Sequence, residues 1–225
     1  MALSGKFIVI DGPDGSGKGA QLERLAAWLT ERGSACCRAR DPGGTEIGDR
    51  IRHILLGFDL SRMDAQCEAL LFMASRAQLV AEVVRPALKK SKVVLCDRFI
   101  SATCAYQGAA GVAHEDIVAL GRLAVGATWP DLTIVLDVPP EVGFQRTGRR
   151  PHHVGKRDDV GQLSMFDGAT SDAMERRPLE FHRKVRQLFR ELPAVYPAPV
   201  TVVDAAGDVE AVWDGVREAV ERAFQ

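Results

Sequence analysis

A glycine-rich segment that ends in a lysine is the strongest chemical signal in the sequence. It follows a short apolar run, it precedes a stretch with helical spacing, and it reads Gly12-Pro13-Asp14-Gly15-Ser16-Gly17-Lys18. Glycines let the backbone curl so that successive N–H groups point at phosphate oxygens, and the dipole of the following helix adds to this attraction. The lysine places a positive charge beside a transferring phosphoryl group. We therefore expect a phosphate-binding loop made by Gly12, Pro13, Asp14, Gly15, Ser16, Gly17, Lys18, Gly19 and Ala20.

This loop departs from the general P-loop motif directly after the lysine. A serine or threonine usually stands there because its hydroxyl group ligates Mg²⁺. Here the position is Gly19, followed by Ala20, and neither side chain carries a hydroxyl group. Two interpretations stay open: water and carboxylates such as Asp97 hold the metal, or phosphoryl transfer is slowed.

A second pair of residues could bind a nucleotide base. Phe72 and Arg76 are four residues apart in a long stretch of helical spacing, so they share one face of the predicted helix. On such a face a ring can stack on a base while a guanidinium group reaches an exocyclic oxygen. On an isolated helix, a buried phenylalanine beside a solvated arginine would be the ordinary alternative.

Asp97 and Arg98 stand where a predicted strand ends. In an open α/β sheet the ligand crevice lies at the carboxyl ends of the strands, and a planar guanidinium group suits a phosphate. We expect Arg98 to bind the phosphate of an acceptor nucleotide and Asp97 to hold Mg²⁺ or its waters. The alternatives are an ion pair of Arg98 with a surface carboxylate and a strand-capping role for Asp97.

A basic segment follows the fourth predicted strand and a helical turn. Phosphoryl transfer needs positive charge around the migrating group and exclusion of water. The polar stretch 148–170 has little periodicity, which is typical of a mobile loop. We expect a lid at about 145–178 in which Arg146, Arg149 and Arg150 surround the transferring group. For any one of these arginines, an ordinary solvated loop is the alternative.

Short apolar runs and longer stretches of helical spacing alternate along the chain and must position these residues. The runs predict strands at 7–10, 93–96, 134–138 and 200–203, and a weaker one at 35–39. The helical stretches are 21–31, 46–56, 64–88, 115–125, 172–192 and 209–223. This alternation predicts an α/β fold, a three-layer α/β/α sandwich with a mostly parallel five-stranded sheet. The length of 225 residues fits one domain, 1–225.

Composition and charge argue against several functional classes. The chain has 29 Lys and Arg against 30 Asp and Glu, a formal net charge of -1, so we expect neither nucleic-acid nor membrane-surface binding. No apolar run approaches the roughly 18 residues that span a bilayer, and the N-terminus lacks a signal-peptide pattern, so we expect a cytoplasmic protein. The five cysteines lack paired metal-ligand spacing, which predicts buried, reduced thiols rather than a disulfide or zinc site.

Five motifs, in this order and at these separations, resemble those of thymidylate kinases. Besides the loop they are Arg40-Asp41-Pro42-Gly43-Gly44-Thr45, Leu71-Phe72-Met73-Ala74-Ser75-Arg76, Asp97-Arg98-Phe99 and Ala105-Tyr106-Gln107-Gly108. The resemblance covers nearly the whole chain and is weakest at 148–170. It implies a fold of the P-loop NTPase type, ATP and Mg²⁺ as cofactors, transfer of the γ-phosphoryl group of ATP to dTMP, and a homodimer.

The resemblance also implies roles for individual residues. Phe72 and Arg76 would recognise thymine, Asp14 would face the acceptor sugar hydroxyl, and Gly15 leaves the loop without an arginine, so the lid would supply one. The implied substrate-binding residues are Asp14, Arg40, Phe72, Arg76, Arg98, Thr103, Tyr106 and Gln107.

The chain differs from the family pattern outside the P-loop as well. Ala102 stands where a serine is expected, with Ser101 beside it, and Ala173 stands where an arginine is expected. Two alternative functions therefore stay open at this point. One is a kinase for another pyrimidine monophosphate, such as dUMP, a modified dUMP or CMP; the other is a catalytically impaired nucleotide-binding protein.

Overall fold

One parallel sheet organises the chain. The computed structural model describes residues 3–57, 62–148 and 177–225. Within these ranges the sheet has five strands in the order β2-β3-β1-β4-β5, and every neighbouring pair is parallel. The carboxyl ends of the strands therefore meet at one edge, as the predicted crevice requires. The strands are β1 (Phe7–Asp11), β2 (Cys36–Arg40), β3 (Val93–Asp97), β4 (Leu132–Asp137) and β5 (Val200–Asp204).

Helices cover both faces of this sheet. Alternate residues of β1 point to opposite sides: Ile8 and Ile10 belong to one buried cluster, and Phe7 and Val9 to another. The predicted three-layer α/β/α sandwich is confirmed. The helices are α1 (Lys18–Glu31), α2 (Glu46–Gly57), α3 (Ala65–Leu79), α4 (Arg85–Lys89), α5 (Ile100–Ala109), α6 (His114–Val125), α7 (Pro140–Arg146), α8 (Leu179–Val195) and α9 (Val209–Ala223).

The long helix predicted at 64–88 is interrupted in its second half. Asp64 caps its start by accepting hydrogen bonds from the backbone N–H groups of Gln66 and Cys67. Between α3 and α4 lies a π-helical segment, Val80–Val84, which directly precedes Arg85 and Pro86. A proline has no N–H to donate, and its ring collides with the carbonyl four residues earlier, so the backbone widens locally.

Helix α5 was not predicted from the sequence. All of its residues except Ala102 and Gly108 are buried. A helix that is buried on every side has no polar face, so the periodicity that reveals an amphipathic helix is missing. This short helix carries Thr103, Tyr106 and Gln107, three of the predicted substrate-binding residues.

Two predictions from composition can be compared with the described residues. All five cysteines are free, but only Cys96 and Cys104 are buried; Cys36 and Cys37 are partly exposed and Cys67 is exposed, so the prediction of buried thiols is wrong for these three. Within the part of the chain that the structure describes, no helix is long and apolar enough to cross a membrane. The predicted helix start at 172 lies outside the described residues.

Candidate active site

The loop after β1 is held in shape by glycines in left-handed backbone conformations. The φ angles are 140° at Gly12, 75° at Gly15 and 86° at Gly17. A β-carbon on Gly12 would lie 2.5 Å from the carbonyl oxygen of Leu136 in β4, and one on Gly15 would lie 2.2 Å from that of Gly143 in α7. The loop is therefore packed backbone against backbone, which only glycine allows at these two positions.

Lys18, the first residue of α1, folds back over this loop. Its Nζ donates hydrogen bonds to the carbonyl oxygens of Gly12 (3.0 Å) and Pro13 (2.9 Å). Desolvation of the ammonium group, together with repulsion from Arg98, lowers the pKa of Lys18 to about 8, although nearby carboxylates oppose the shift. The ammonium group is thus held at the loop, where phosphate oxygens would replace the carbonyl oxygens as its partners.

Arg98 connects this loop to the neighbouring strand β3. Its backbone is left-handed, with φ 65°, and its N–H donates to the carbonyl oxygen of Ile10 at 3.1 Å. Its Nη1 donates to the carbonyl oxygen of Gly12 (3.1 Å) and its Nη2 to Asp14 Oδ1 (2.5 Å). The guanidinium group also lies 5.2 Å from the ring centroid of Tyr106. A residue predicted to bind phosphate is therefore fixed at the edge of the loop.

Asp11, which was not among the predicted site residues, lies beneath these cations. It is fully buried at the end of β1, and its Oδ1 accepts a hydrogen bond from the N–H of Gly12 at 2.8 Å. Its Oδ2 accepts a hydrogen bond from Ser101 Oγ at 2.5 Å, and its Oδ1 lies 3.6 Å from Arg98 Nη1. Burial raises the pKa of Asp11, while Arg98 and the two hydrogen bonds act in the opposite direction.

A pocket beside Arg98 collects most of the predicted acceptor residues. It encloses about 560 Å³, part of it open to solvent. Among the described residues, three buried polar atoms at this pocket have no hydrogen-bond partner: Asp41 Oδ1, Tyr106 Oη and Gln107 Nε2. Buried polar atoms without partners are costly, so their concentration here is typical of a binding site for a polar ligand. The lining residues are Asp14, Asp41, Pro42, Arg52, Leu56, Phe72, Arg76, Arg98, Ala102, Thr103, Tyr106 and Gln107.

Phe72 and Arg76 share this pocket, but Arg76 is more constrained than the sequence predicts. Its side chain is buried, and Nε donates to Asp41 Oδ2 at 2.6 Å. Nη2 donates to the carbonyl oxygen of Phe99 (3.0 Å) and to Thr103 Oγ1 (3.2 Å), and Nη1 lies 3.1 Å from the sulfur of Met73. Contact with a base therefore depends on Nη1, and the predicted recognition role stays a prediction.

Arg40 and Asp97 line a different groove. Arg40 is more than half exposed, and its Nη2 lies 3.9 Å from Asp49 Oδ1. The groove also contains Gly19, and the structure does not bring Arg40 into the pocket of Phe72. Asp97 Oδ1 is buried and has no hydrogen-bond partner within the described ranges. The implied role of Arg40 in substrate binding therefore stays a prediction.

Of the three predicted lid arginines, Arg146 lies within the described residues. The guanidinium group of Arg146 donates to the carbonyl oxygens of Ala205 (2.7 Å), Ala206 (2.9 Å) and Gly207 (2.8 Å), in the loop after β5. A role around the migrating phosphoryl group would require these bonds to break, so that role stays a prediction. The described residues do not include Arg149, Arg150, Ala173 or most of the predicted lid at 145–178.

Among the pocket residues that were missed, Asp41, Arg52 and Leu56 reach the site only through the fold. Asp41 is in a quoted motif, and a buried aspartate before a proline gives no signal of its own. Arg52 and Leu56 are four residues apart on α2, the same spacing that singled out Phe72 and Arg76. That spacing could have identified them, but nothing in the sequence shows which face of α2 meets the pocket. Ser101, which stands beside Ala102, donates its hydroxyl hydrogen bond to Asp11.

Comparisons with known proteins agree with this geometry. The thymidylate kinase family model matches residues 10–216. The thymidylate kinase of Bacillus licheniformis is 34% identical over 224 residues, 99% of this chain and 98% of the relative. That of Pseudomonas syringae pv. syringae is 40% identical over 216 residues, 94% of each chain.

A solved structure gives the same result in three dimensions. The crystal structure of thymidylate kinase from Ehrlichia chaffeensis superposes with a TM-score of 0.70 at 28% identity, covering 96% of this chain and 98% of that one. The likeness therefore extends over nearly the full length of both chains. With a family model that spans nearly all of the sequence, and relatives matched almost end to end, the chain belongs to the thymidylate kinase family of nucleoside monophosphate kinases.

Proposed function

We propose that this protein transfers the γ-phosphoryl group of ATP to dTMP, giving dTDP and ADP. One observation carries the proposal: Arg98 hydrogen-bonds the P-loop at Gly12 and Asp14 while it lines the pocket that contains Phe72. The donor loop and the acceptor pocket therefore share a wall. Two nucleotides bound at these sites would face each other with their phosphates at Arg98.

The catalytic contribution of the chain is positioning and charge. In-line phosphoryl transfer needs no covalent intermediate with the protein. The P-loop amides and Lys18 would hold the donor phosphates, and Arg98 would hold the acceptor phosphate so that its oxygen approaches the γ-phosphorus. Asp14 also lines the pocket and accepts a hydrogen bond from Arg98. A phosphate that binds the guanidinium group would therefore have to displace the carboxylate of Asp14.

The acceptor pocket supplies features that suit a pyrimidine deoxynucleotide. The ring of Phe72 is available at the pocket wall for stacking on a base. Gln107 Nε2 is a buried donor without a partner in the described structure, and a base carbonyl is an acceptor that would satisfy it. The buried ring of Tyr106 would crowd the sugar and act against a ribose 2′-hydroxyl.

A magnesium ion fits the chain at Asp97. The unpartnered Oδ1 of Asp97 is a hard carboxylate ligand at the carboxyl end of β3, and Mg²⁺ commonly uses one or two carboxylates together with waters and substrate phosphates. Among the described residues, no group of three or more His, Cys, Asp or Glu could hold a metal ion by itself. When bound, the ion would neutralise charge on the donor phosphates.

Exposed apolar side chains on three neighbouring helices support the homodimer that the family resemblance implies. Helix α3 packs between α2 and α6, and each of the three carries a large apolar side chain that is about half exposed or more: Ile54, Leu70 and Leu123. Burial of such side chains against a second copy would remove them from water. The cytoplasmic location and the lack of nucleic-acid binding stay predictions.

The test is ADP formation from ATP with dTMP, dUMP, CMP and dGMP compared side by side. We expect dTMP to give the highest kcat/KM, and a Lys18→Met variant to remove turnover with every acceptor. A preference for dGMP would overturn the proposal that dTMP is the acceptor. ADP formation that is independent of any acceptor would indicate an ATPase instead.

A further inference from the structure

The carboxylate of Asp11 is positioned more tightly than a packing role requires. Both of its oxygens are engaged: Oδ1 accepts from the N–H of Gly12 at 2.8 Å, and Oδ2 accepts from Ser101 Oγ at 2.5 Å. The side chain is fully buried, and the hydroxyl that fixes it comes from α5, the helix that also carries Tyr106 and Gln107. Asp11 thus links the start of the P-loop to the floor of the acceptor pocket.

Arg98 is shared between two carboxylates that differ in access to solvent. Its Nη2 donates to Asp14 at 2.5 Å, and its Nη1 lies 3.6 Å from Asp11. The side chain of Asp14 is 17% exposed and lines the acceptor pocket, whereas that of Asp11 is 0% exposed. A bound nucleotide can therefore compete with Asp14 for Nη2, but it cannot reach Asp11.

The carboxylate of Asp11 also offsets the positive charges of Arg98 and Lys18. Arg98 and Lys18 both donate to the carbonyl oxygen of Gly12, at 3.1 Å and 3.0 Å. Two cations with a common acceptor repel each other, and a buried anion beneath them offsets that repulsion. Asp11 keeps its hydrogen bonds to Gly12 and Ser101. Its negative charge therefore stays in place when a phosphate displaces Asp14 from Arg98.

We propose that Asp11 is a positioning residue for phosphoryl transfer, which holds the Nη1 side of Arg98 so that Nη2 can pass from Asp14 to the acceptor phosphate. This proposal rests on the function proposed above and adds a residue to it. Asp11 does not touch either nucleotide; it acts through Arg98. A purely structural role, in which Asp11 only fixes the start of the P-loop through Gly12, makes a different prediction.

A double-mutant cycle separates the two roles. Asp11→Asn keeps the shape of the side chain and removes its charge, and Arg98→Lys keeps a positive charge and removes the two-nitrogen fork. We expect Asp11→Asn to lower kcat/KM for dTMP about 10- to 100-fold, as for loss of a buried negative charge beside Arg98, with little change in KM for ATP. In the Arg98→Lys background the same substitution should cost less than about twofold, because coupled residues are not additive.

Two further variants control for folding. Ser101→Ala should act in the same direction as Asp11→Asn, but more weakly, because it removes only one hydrogen bond to the carboxylate. Thr133→Val removes a buried hydroxyl group in β4 that has no hydrogen-bond partner among the described residues, so it should leave the kinetics unchanged. Thermal unfolding of all variants shows whether lost activity follows lost stability.

Equal costs of Asp11→Asn in the two backgrounds would overturn the positioning role, as would a rise in KM for ATP alone. The same double-mutant cycle is also measured on the dissociation constant for dTMP by titration calorimetry, because this measurement needs no turnover. A wild-type protein that binds dTMP without phosphorylating it would refute the proposed function, yet coupling in the binding cycle would still support Asp11. Failure of the wild type to bind dTMP would refute both.

Discussion

Gly15 and Gly143 contact each other through their backbones, at the point where the P-loop rests on α7. A β-carbon on Gly15 would lie 2.2 Å from the carbonyl oxygen of Gly143, and one on Gly143 would lie 2.3 Å from that of Asp14. No side chain separates the two segments. The position of the loop that binds donor phosphates therefore depends on a helix more than 120 residues later in the sequence.

Gly143→Ala should displace the P-loop. Alanine normally stabilises a helix interior by about 1 kcal/mol relative to glycine, but here its methyl group would collide with the backbone of Asp14. We expect a lower melting temperature and a higher KM for ATP, measured by thermal unfolding and initial rates. Gly57→Ala is the control, because a methyl group on that glycine of α2 would meet no atom of the described residues within 4 Å. Equal melting temperatures and equal KM values for ATP in the two variants would contradict the contact between Gly143 and the P-loop.

Phe72→Ala should weaken acceptor binding without affecting the donor. Stacking of a base on an aromatic ring contributes about 1–3 kcal/mol, so KM for dTMP should rise about 10- to 100-fold while KM for ATP stays the same. Phe72→Tyr keeps the ring and should retain most of the affinity. Steady-state kinetics with each substrate varied in turn measures both constants. An unchanged KM for dTMP in Phe72→Ala would show that the base binds elsewhere.

The pH dependence of donor binding should reflect Lys18. Its pKa in the free protein is about 8, below the ordinary value, so the ammonium group is charged at neutral pH and loses its proton as pH rises through 8. We expect kcat/KM for ATP, which reports the free enzyme, to fall on the alkaline side with a midpoint near pH 8. The arginine of Lys18→Arg keeps its charge in this pH range. The pH profile of this variant should therefore show no alkaline fall of kcat/KM for ATP, even if its overall rate differs from that of the wild type. A wild-type profile that stays flat to about pH 9.5 would contradict the assignment.

Asp97→Asn should weaken Mg²⁺ binding. Gly19 and Ala20 carry no hydroxyl group, and Asp97 is the proposed protein ligand. Its loss should therefore raise the Mg²⁺ concentration for half-maximal activity at least about tenfold. Electron paramagnetic resonance of Mn²⁺ in the presence of ATP gives a readout that is independent of turnover. Asp116→Asn on α6 is a carboxylate control.

The missing P-loop hydroxyl group can be restored directly. A β-carbon on Gly19 would meet no atom of the described part of the chain within 4 Å, so Gly19→Ser should be accommodated without displacing the backbone. If Asp97 and water suffice to hold the metal, kcat and Mg²⁺ dependence should not change in this variant. A large gain in kcat would instead favour the interpretation that the natural loop is slowed.

Leu123→Asp should prevent dimerisation. The side chain of Leu123 is 84% exposed on α6, and a charge at this position would have to be desolvated in an interface. Sedimentation should show the wild type at twice the 24.4 kDa chain mass and the variant at the chain mass itself. Val195→Asp is the matched control, because this exposed valine lies on α8 outside the proposed surface. A wild type that sediments as a monomer would refute the homodimer.

Local pattern accounts for much of the fold. The P-loop was predicted from glycines and a lysine between a strand and a helix, and β1, β3, β4 and β5 from apolar runs that parallel strands bury on both faces. Even β2, whose signal was weaker, forms at the predicted place. These features depend on neighbours within a few residues, so one sequence reveals them. Helix α5 was missed because burial on all sides removes the pattern.

The family and the order of its motifs were determined by the sequence alone, because residue type and spacing are all that such a comparison requires. The tertiary structure decided which polar atoms meet. Asp11 lies beneath Arg98, and Arg76 pairs with Asp41 rather than standing free, because strand order brings together segments that are 35 to 87 residues apart in the chain. Contacts over such separations depend on packing and leave no local pattern.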